Sequence, residues 1–425
     1  MLKKVLARDL ALGMYVARLD RPWEGTPFLF QGFEIRTQEE LNLLQELCTF
    51  VHIEVEESYS QPAPVRHQPV SPKRLEMEQA ARPEEVPAPP LERLLKEPPS
   101  GHRYRDETTL EEELGPAKEI ESQAREILFS TLDDVRLGRS INTEGAKKVV
   151  QGMVESVIRN PDALVVLSQL KNVDEYTALH SLRVCILSLV FGRHLNLDAE
   201  ALNLLGVGAL LHDVGKMKVP TDILNKPTRL TDEEFRIMKS HVPEGVRILR
   251  NSRGIPPLSI EVAERHHERY AGNGYASGMA GDAIGAFGLI SAIVDCYDAV
   301  TSDRVYHKGM APLEALSRMY EKRRQDFHPA LMEQFIQCMG TFPIGSIVEL
   351  NTGAIGVVIS LNRERRLRPK IVLVLNADKQ PCTPPKVLDL NTGQPENTTG
   401  SLSVAKVMPG GAYDIKASEI LTKYC

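Results

Sequence analysis

His212-Asp213-Val214-Gly215-Lys216 closes an apolar segment that runs from Leu202 to Leu211, and its reading decides the rest of the chain. An imidazole beside a carboxylate offers nitrogen and oxygen to one cation, and Lys216, past a flexible glycine, adds a positive charge next to them. A His-Asp pair is also an ordinary buried hydrogen bond, so the pentad alone leaves structure and chemistry both open. The neighbouring helices decide between them.

Asp198 caps the helix that delivers the pair. Before it, Asp174 to Phe191 sets Tyr176, His180, Val184, Leu187 and Phe191 on one face, which turns His180 inward. After it, Thr231-Asp232-Glu233-Glu234 is a capping box whose helix carries Phe235, Met238 and His241, with Pro243 expected to kink it just past the histidine. Pro257 opens a helix ending in His266-His267-Glu268, and Ala271 to Gly278 follows as a loop whose glycines let backbone approach a ligand. The apolar helix Ile284 to Val300 is interrupted by Asp295 and Asp298 and leads to Thr301-Ser302-Asp303-Arg304.

His180, His212, Asp213, His241, His266, His267 and Asp295 thus recur at intervals of about 25 to 32 residues, roughly a helix and its return. One inward ligand per helix is what a metal site in a bundle core requires. None of the 11 histidines lies beyond residue 340. Imidazole and carboxylate without thiolate suit Fe, Mn, Co, Ni or Zn. There are ligands enough for two divalent ions about 3.5 to 4 Å apart that neutralise phosphate oxygens in phosphoester hydrolysis. A third ion would need an oxygen ligand one turn before His180; that position is Tyr176, a protonated phenol, and Glu175 projects about 100° away.

Farther out, the fold expected is mainly α, with β structure at both ends. Residues 1–57 read as a small α+β module: strands at Leu10–Val16 and Pro27–Phe30, a helix opened by the Thr37–Glu40 capping box, and a strand at Phe50–Val55 with His52 on one face. Residues 58–116 read as a linker, because eleven of the chain's 28 prolines fall between Pro62 and Pro116. Connecting helices over 117–160 carry apolar stripes (Ala124, Leu128, Leu132; Val149, Val150, Met153, Val157) that either pack on the core or mediate dimerisation. A helical domain fills 161–340, and 341–425 turns to a meander, Ser346–Leu350, Ile355–Ser360 and Lys370–Leu375, with Arg363–Arg368 as a solvated basic hairpin tip.

With 425 residues and 42% hydrophobic content the chain can bury a large core. Its net charge of −6 provides no general basic field for a nucleic acid polymer or anionic lipid. The six cysteines are scattered and read as reduced thiols, and no stretch approaches a membrane span, so a cytoplasmic protein is expected.

The chain closely resembles the HD-GYP family of bacterial cyclic di-GMP phosphodiesterases over about residues 165–400. The resemblance rests on Tyr176-Thr-Ala-Leu-His180-Ser, the His212–Lys216 pentad, Ile223-Leu-Asn-Lys-Pro227 with Leu230-Thr231, His241, His266-His267-Glu268, Gly272-Asn-Gly274-Tyr275, and Asp295 through Arg304. Residues 1–57 look like the module often found ahead of such a domain. The resemblance implies an HD-type helical metallohydrolase core with His180, His212, Asp213, His241, His266, His267 and Asp295 as metal ligands, Asp213 bridging, and Fe or Mn as the first candidates. It implies that Lys216 stands beside the reacting phosphate and that Gly272, Gly274, Tyr275 and Arg304 lie at the substrate. Cyclic di-GMP would be cleaved to pGpG and perhaps on to GMP, with a homodimer or signalling-protein partners as further expectations. Two positions depart from the family: its loop ends Gly-Tyr-Pro, here Gly274-Tyr275-Ala276, and an Ala-Arg pair is replaced by Gly288-Leu289. These departures keep two other readings open, a cyclic di-GMP sensor with little turnover and a general HD-type nucleotide phosphohydrolase.

Overall fold

The structure is a computed structural model that describes residues 2–11, 13–20, 33–35, 38–54, 89–95, 104–169, 176–302, 309–363, 365–392 and 402–424. It divides into two compact units, Met1–Pro83 and Glu84–Cys425.

In the first unit, β1 (Leu2–Leu6), β2 (Tyr15–Leu19), β3 (Phe33–Glu34) and β4 (Phe50–Glu54) form an antiparallel sheet ordered β1-β4-β2-β3, with α1 (Gln38–Leu47) beside it. Val16, Ile35, Leu44 and Val51 are fully buried in its core. The strand expected over Leu10–Val16 starts later, at Tyr15, because Gly13 takes φ +87° in a turn. His52 lies on β4 opposite Lys4, as a strand residue. The expected strand Pro27–Phe30 and the cap residue Thr37 lie outside the described residues.

The second unit begins with α2 (Leu91–Leu95), α3 (Leu110–Arg136), α4 (Thr143–Arg159) and α5 (Pro161–Ser168). Here the proline-rich stretch differs from the spacer expected of it. α3 begins at Leu110 and runs straight through Pro116, because Thr109 and Glu112 form a reciprocal capping box and Leu110 and Ala117 are buried. Tertiary burial outweighs the hydrogen bond that the proline cannot donate. Leu94 of α2 is also buried, and Tyr104 donates a hydrogen bond to the Leu197 carbonyl at 2.8 Å. The stripes on α3 and α4 pack on the core of their own chain: Ala124, Leu128, Val150, Met153 and Val157 are almost wholly covered.

α6 (Tyr176–His194) and α7 (Ala199–Leu211) are the centre of the bundle, followed by a 3₁₀ turn at Val214–Lys218, then α8 (Thr221–Leu224), α9 (Asp232–Lys239), α10 (His241–Asn251), α11 (Pro257–Arg265) and α12 (Ala286–Thr301). α7 packs on α6 and α11, and α12 packs on α6 and α11. The break near His241 falls before the histidine, at Ser240, rather than after it. Pro243 then sits in the first turn of α10, where its missing N–H breaks no helical hydrogen bond.

α13 (Pro312–Glu321) and α14 (Pro329–Met339) complete the bundle. They are followed by β5 (Ile347–Leu350), β6 (Ile355–Ser360), β7 (Lys370–Leu375), β8 (Pro381–Asp389), β9 (Val404–Val407) and α15 (Ala417–Tyr424). The five strands form an antiparallel sheet ordered β8-β7-β6-β5-β9. The basic tip after β6 leaves Arg365 and Arg366 exposed, as expected, but its first residue is a joint. Arg363 pairs with Asp162 of α5 and with Asp106 at 3.0 Å, and Asp106 in turn holds Arg193 of α6 at 2.9 Å. A guanidinium offers donors in a fixed fork, so one arginine can serve two carboxylates. Cys185, Cys296, Cys338 and Cys382 are free thiols. Among the described residues no helix is long and apolar enough to cross a membrane.

Candidate metal centre

Five elements bring the expected residues together. His180 comes from the first turns of α6, His212 from the C-cap of α7, and Asp213 from the residue after it. His241 opens α10, His266 and His267 end α11, and Asp295 lies in the middle of α12. Helix ends supply most of the ligands, because a side chain leaving the last or first turn can point along the bundle interior where chain directions change. His180, His212, Asp213, His241, His266 and Asp295 are all buried.

The nitrogens are oriented by the backbone. Nδ1 of His212 lies 2.8 Å from the Ala209 carbonyl, Nδ1 of His241 2.7 Å from that of Met238, and Nδ1 of His266 3.0 Å from that of Ala263. A carbonyl only accepts, so Nδ1 carries the proton and the Nε2 lone pair of each neutral ring faces inward. Burial, reinforced by the neighbouring histidines, holds His266 well below the usual imidazole range, and burial pushes His267 down to about 3.

Asp213 stands between two sets of these nitrogens. Its Oδ2 is 3.2 Å from His212 Nε2 and 3.6 Å from His180 Nε2; its Oδ1 is 3.5 Å from His241 Nε2 and 3.8 Å from His266 Nε2. Asp295 spans the same gap, with Oδ1 3.0 Å from His180 Nε2 and Oδ2 3.8 Å from His267 Nδ1. The ligand atoms of His180, His212 and Asp213 lie within 4.8 Å of one another, as do those of His241, His266 and His267. His212 Nε2 and Asp213 Oδ1 are buried and complete no hydrogen bond. Buried polar atoms are costly without a partner, and divalent cations fit what this donor set lacks. Burial alone would raise the Asp213 carboxyl, but His212 and the Lys216 ammonium beside it hold it well below the usual carboxylate range. Lys216 donates a hydrogen bond to Asp213 Oδ2.

Two residues given no role by the sequence support the centre. Asp298, one turn beyond Asp295, accepts from His180 Nδ1 at 2.7 Å and from Arg183 Nε at 2.6 Å. Burial works against charge on His180, yet Asp295 and Asp298 on its two nitrogens outweigh it and raise its pKa to about 9. The Asp295–Asp298 spacing in an otherwise apolar helix was the available signal. Glu268 is the other: its Oε1 accepts from the backbone N–H groups of Ser277 and Gly278 at 2.7 and 3.0 Å, tying down the glycine-rich loop.

The loop is packed as closely as its glycines allow. A Cβ on Gly274 would lie 2.4 Å from Arg269 N and 2.6 Å from the His267 carbonyl, and one on Gly215 1.9 Å from the His241 carbonyl. Gly215 is therefore needed for close packing and not for flexibility, while Gly272 takes φ +82°. Tyr275 stacks on His267, with ring centroids 4.6 Å apart and planes at 29°. At the second departure, Arg265 lies over Gly288 and donates to the Ile284 carbonyl at 3.2 Å, while Leu289 is buried in the core. Arg304 and the side chain of Tyr176 lie outside the described residues.

Family models match three stretches of the chain. Residues 2–146 match a domain of unknown function (DUF3391), residues 165–331 the HD domain, and residues 347–395 a KOW domain associated with HD domain. A solved HDG"Y"P protein from Bdellovibrio bacteriovorus aligns over 79% of this chain and 98% of its own, with 14% identity and a TM-score of 0.47. A 3'3'-cGAMP-specific phosphodiesterase of Vibrio cholerae is 37% identical over 128 residues, 30% of this chain and 24% of that protein. A cyclic di-GMP phosphodiesterase of Pseudomonas aeruginosa is 35% identical over 402 residues, 94% of this chain and 92% of that protein. Likeness sustained across almost the whole of both chains, with the His-Asp centre inside the HD domain, shows that this chain belongs to the HD-GYP family of cyclic di-GMP phosphodiesterases.

Proposed function

We propose that the chain hydrolyses cyclic di-GMP to pGpG with two divalent transition-metal ions held by its seven His and Asp ligands. The observation that carries this reading is the position of Asp213, one oxygen toward His180 and His212 and the other toward His241 and His266. His180 and His212 would hold one ion and His241, His266 and His267 the other, with Asp213 and Asp295 available to both. Iron or manganese is the first expectation, cobalt, nickel or zinc the second, from the mixed imidazole and carboxylate donors. When bound, the ions supply Lewis acidity to phosphate oxygens and neutralise their charge.

The protein groups around them have separate tasks. Lys216 sits where its ammonium can meet negative charge growing on a phosphate oxygen once cations share Asp213. Gly274 lets the loop backbone lie against His267, Gly272 supplies the positive φ at its turn, and Tyr275 faces the same histidine, so this loop forms the substrate-side wall. Asp298 keeps the His180 ring in place. Arg304 is assigned to the substrate on the family resemblance.

The test is to load the protein anaerobically with Fe or Mn and incubate it with cyclic di-GMP, 3'3'-cGAMP and linear dinucleotides, resolving products over time. Release of pGpG with about two ions per chain by elemental analysis is expected. Tight binding of cyclic di-GMP without cleavage would replace the enzyme with a sensor, and preference for the mixed dinucleotide would change the substrate.

A further inference from the structure

The helix leading into His241 carries a surface that the ligand geometry leaves unused. α9 buries none of its residues, and Phe235 on it is 43% exposed. The Phe235 ring meets Tyr275 edge to face, with centroids 6.2 Å apart and planes at 83°. Tyr275 in turn stacks on the candidate ligand His267. Lys239, one helical turn after Phe235 and two residues before His241, holds its ammonium 4.7 Å from the Phe235 centroid and 5.3 Å from that of Tyr275.

An aromatic ring left in water has only its apolar faces to offer. Beside a phosphate-processing centre, the complementary partner is a nucleobase, which has a π-face of its own and tolerates stacking in many orientations. The lysine adds a cation on a flexible stem that is held by ring faces alone in this arrangement, so it is free to turn to an anion. The ion pair of Lys226 with Glu234, at 2.6 Å, fixes α9 on the preceding segment and so holds Phe235 at the mouth of the site.

Resting on the reading of cyclic di-GMP as substrate, we propose that Phe235 is a specificity-determining residue that stacks on a guanine of the bound dinucleotide, while Lys239 turns from the rings to a phosphate oxygen. Phe235 is then the base platform, and His267, Tyr275 and Phe235 form a continuous wall from the ligand cluster to solvent.

The test uses full-length, metal-loaded protein. Phe235→Ala and Phe235→Leu are each expected to raise KM for cyclic di-GMP about 5- to 100-fold, the loss of one base–aromatic stack, with kcat, metal content and Tm near wild type. A merely structural role predicts rescue by leucine, which keeps apolar bulk; a stacking role predicts rescue only by Phe235→Trp. In Phe235→Trp the new indole should be quenched on titration with GMP or cyclic di-GMP, against a wild-type baseline that carries only Trp23. A wild-type KM in the alanine and leucine variants overturns the inference and leaves the hydrolysis reading standing. Should wild type fail to cleave cyclic di-GMP, the titration still decides: quenching supports the platform and removes only the hydrolysis reading, and absence of quenching overturns the platform.

Discussion

Residues 84–425 contain two clusters of buried charge, and the protein satisfies them to different degrees. In the joint between the bundle and the C-terminal sheet, Asp162 Oδ2 accepts from Ser360 Oγ and the Leu361 N–H, both at 2.8 Å, and its Oδ1 pairs with Arg363. Asp106 has an arginine on each oxygen, Arg193 at 2.9 Å and Arg363 at 3.0 Å. Every carboxylate oxygen there is answered from within the chain. In the His-Asp centre, Asp213 Oδ1 and His212 Nε2 are as inaccessible as the buried Asp162 and complete no hydrogen bond. A carboxylate matched on both oxygens fastens two elements together, whereas one surrounded by inward lone pairs is arranged for a cation.

The sharpest way to break this contrast is Asp213→Asn. It preserves size but removes the charge shared between the two histidine sets. Metal content should collapse and turnover fall about 10²- to 10⁴-fold, the rate equivalent of the several kcal/mol a metal's charge contributes. Circular dichroism should show the helices retained. Full metal occupancy in this variant would remove Asp213 from its bridging role.

Lys216→Ala should lower kcat by about 10²-fold, comparable to loss of one preorganised donor, while elemental analysis finds the metals in place. A purely structural pairing with Asp213 would instead leave kcat unchanged in folded, metal-loaded protein.

Asp298→Asn tests whether support behind a ligand matters as much as the geometry suggests. Loss of the carboxylate shared by His180 and Arg183 should weaken metal affinity or activity about 10- to 100-fold. Chelator competition reads the affinity directly, and an unchanged curve would show that the backbone alone positions His180.

Arg363→Met should have the smallest effect on rate and a clear one on stability. It leaves Asp162 buried without its cation; because Arg363 is one third exposed, a cost of about 2 kcal/mol is expected, below that of a fully buried pair. Urea denaturation measures it. A loss of metal content equal to that of Asp213→Asn would mean that the two clusters are not independent.

Much of the centre was legible in the chain because its ligands are of rare residue types spaced along successive helical segments. The pentad, the Asp198 cap, the Thr231–Glu234 capping box and the Gly-Asn-Gly-Tyr loop are local signals, set by neighbours within a few residues. The same reasoning failed where long-range burial overruled composition. Pro116 and its proline-rich surroundings suggest an extended chain, yet Leu110 and Ala117 are buried on either side and the helix persists. Arg363 reads as part of a solvated basic turn until the fold brings Asp162, some 200 residues away, within hydrogen-bond reach. Asp298 and Glu268 were visible as residues but not as partners, since only the packing of α12 against α6, and of the loop against α11, determines what a carboxylate meets. The sequence by itself thus determined which side chains can do chemistry and the helices that carry them. The tertiary structure alone decided which buried charges answer one another and which are left facing a common point, because that depends on contacts between segments far apart in the chain.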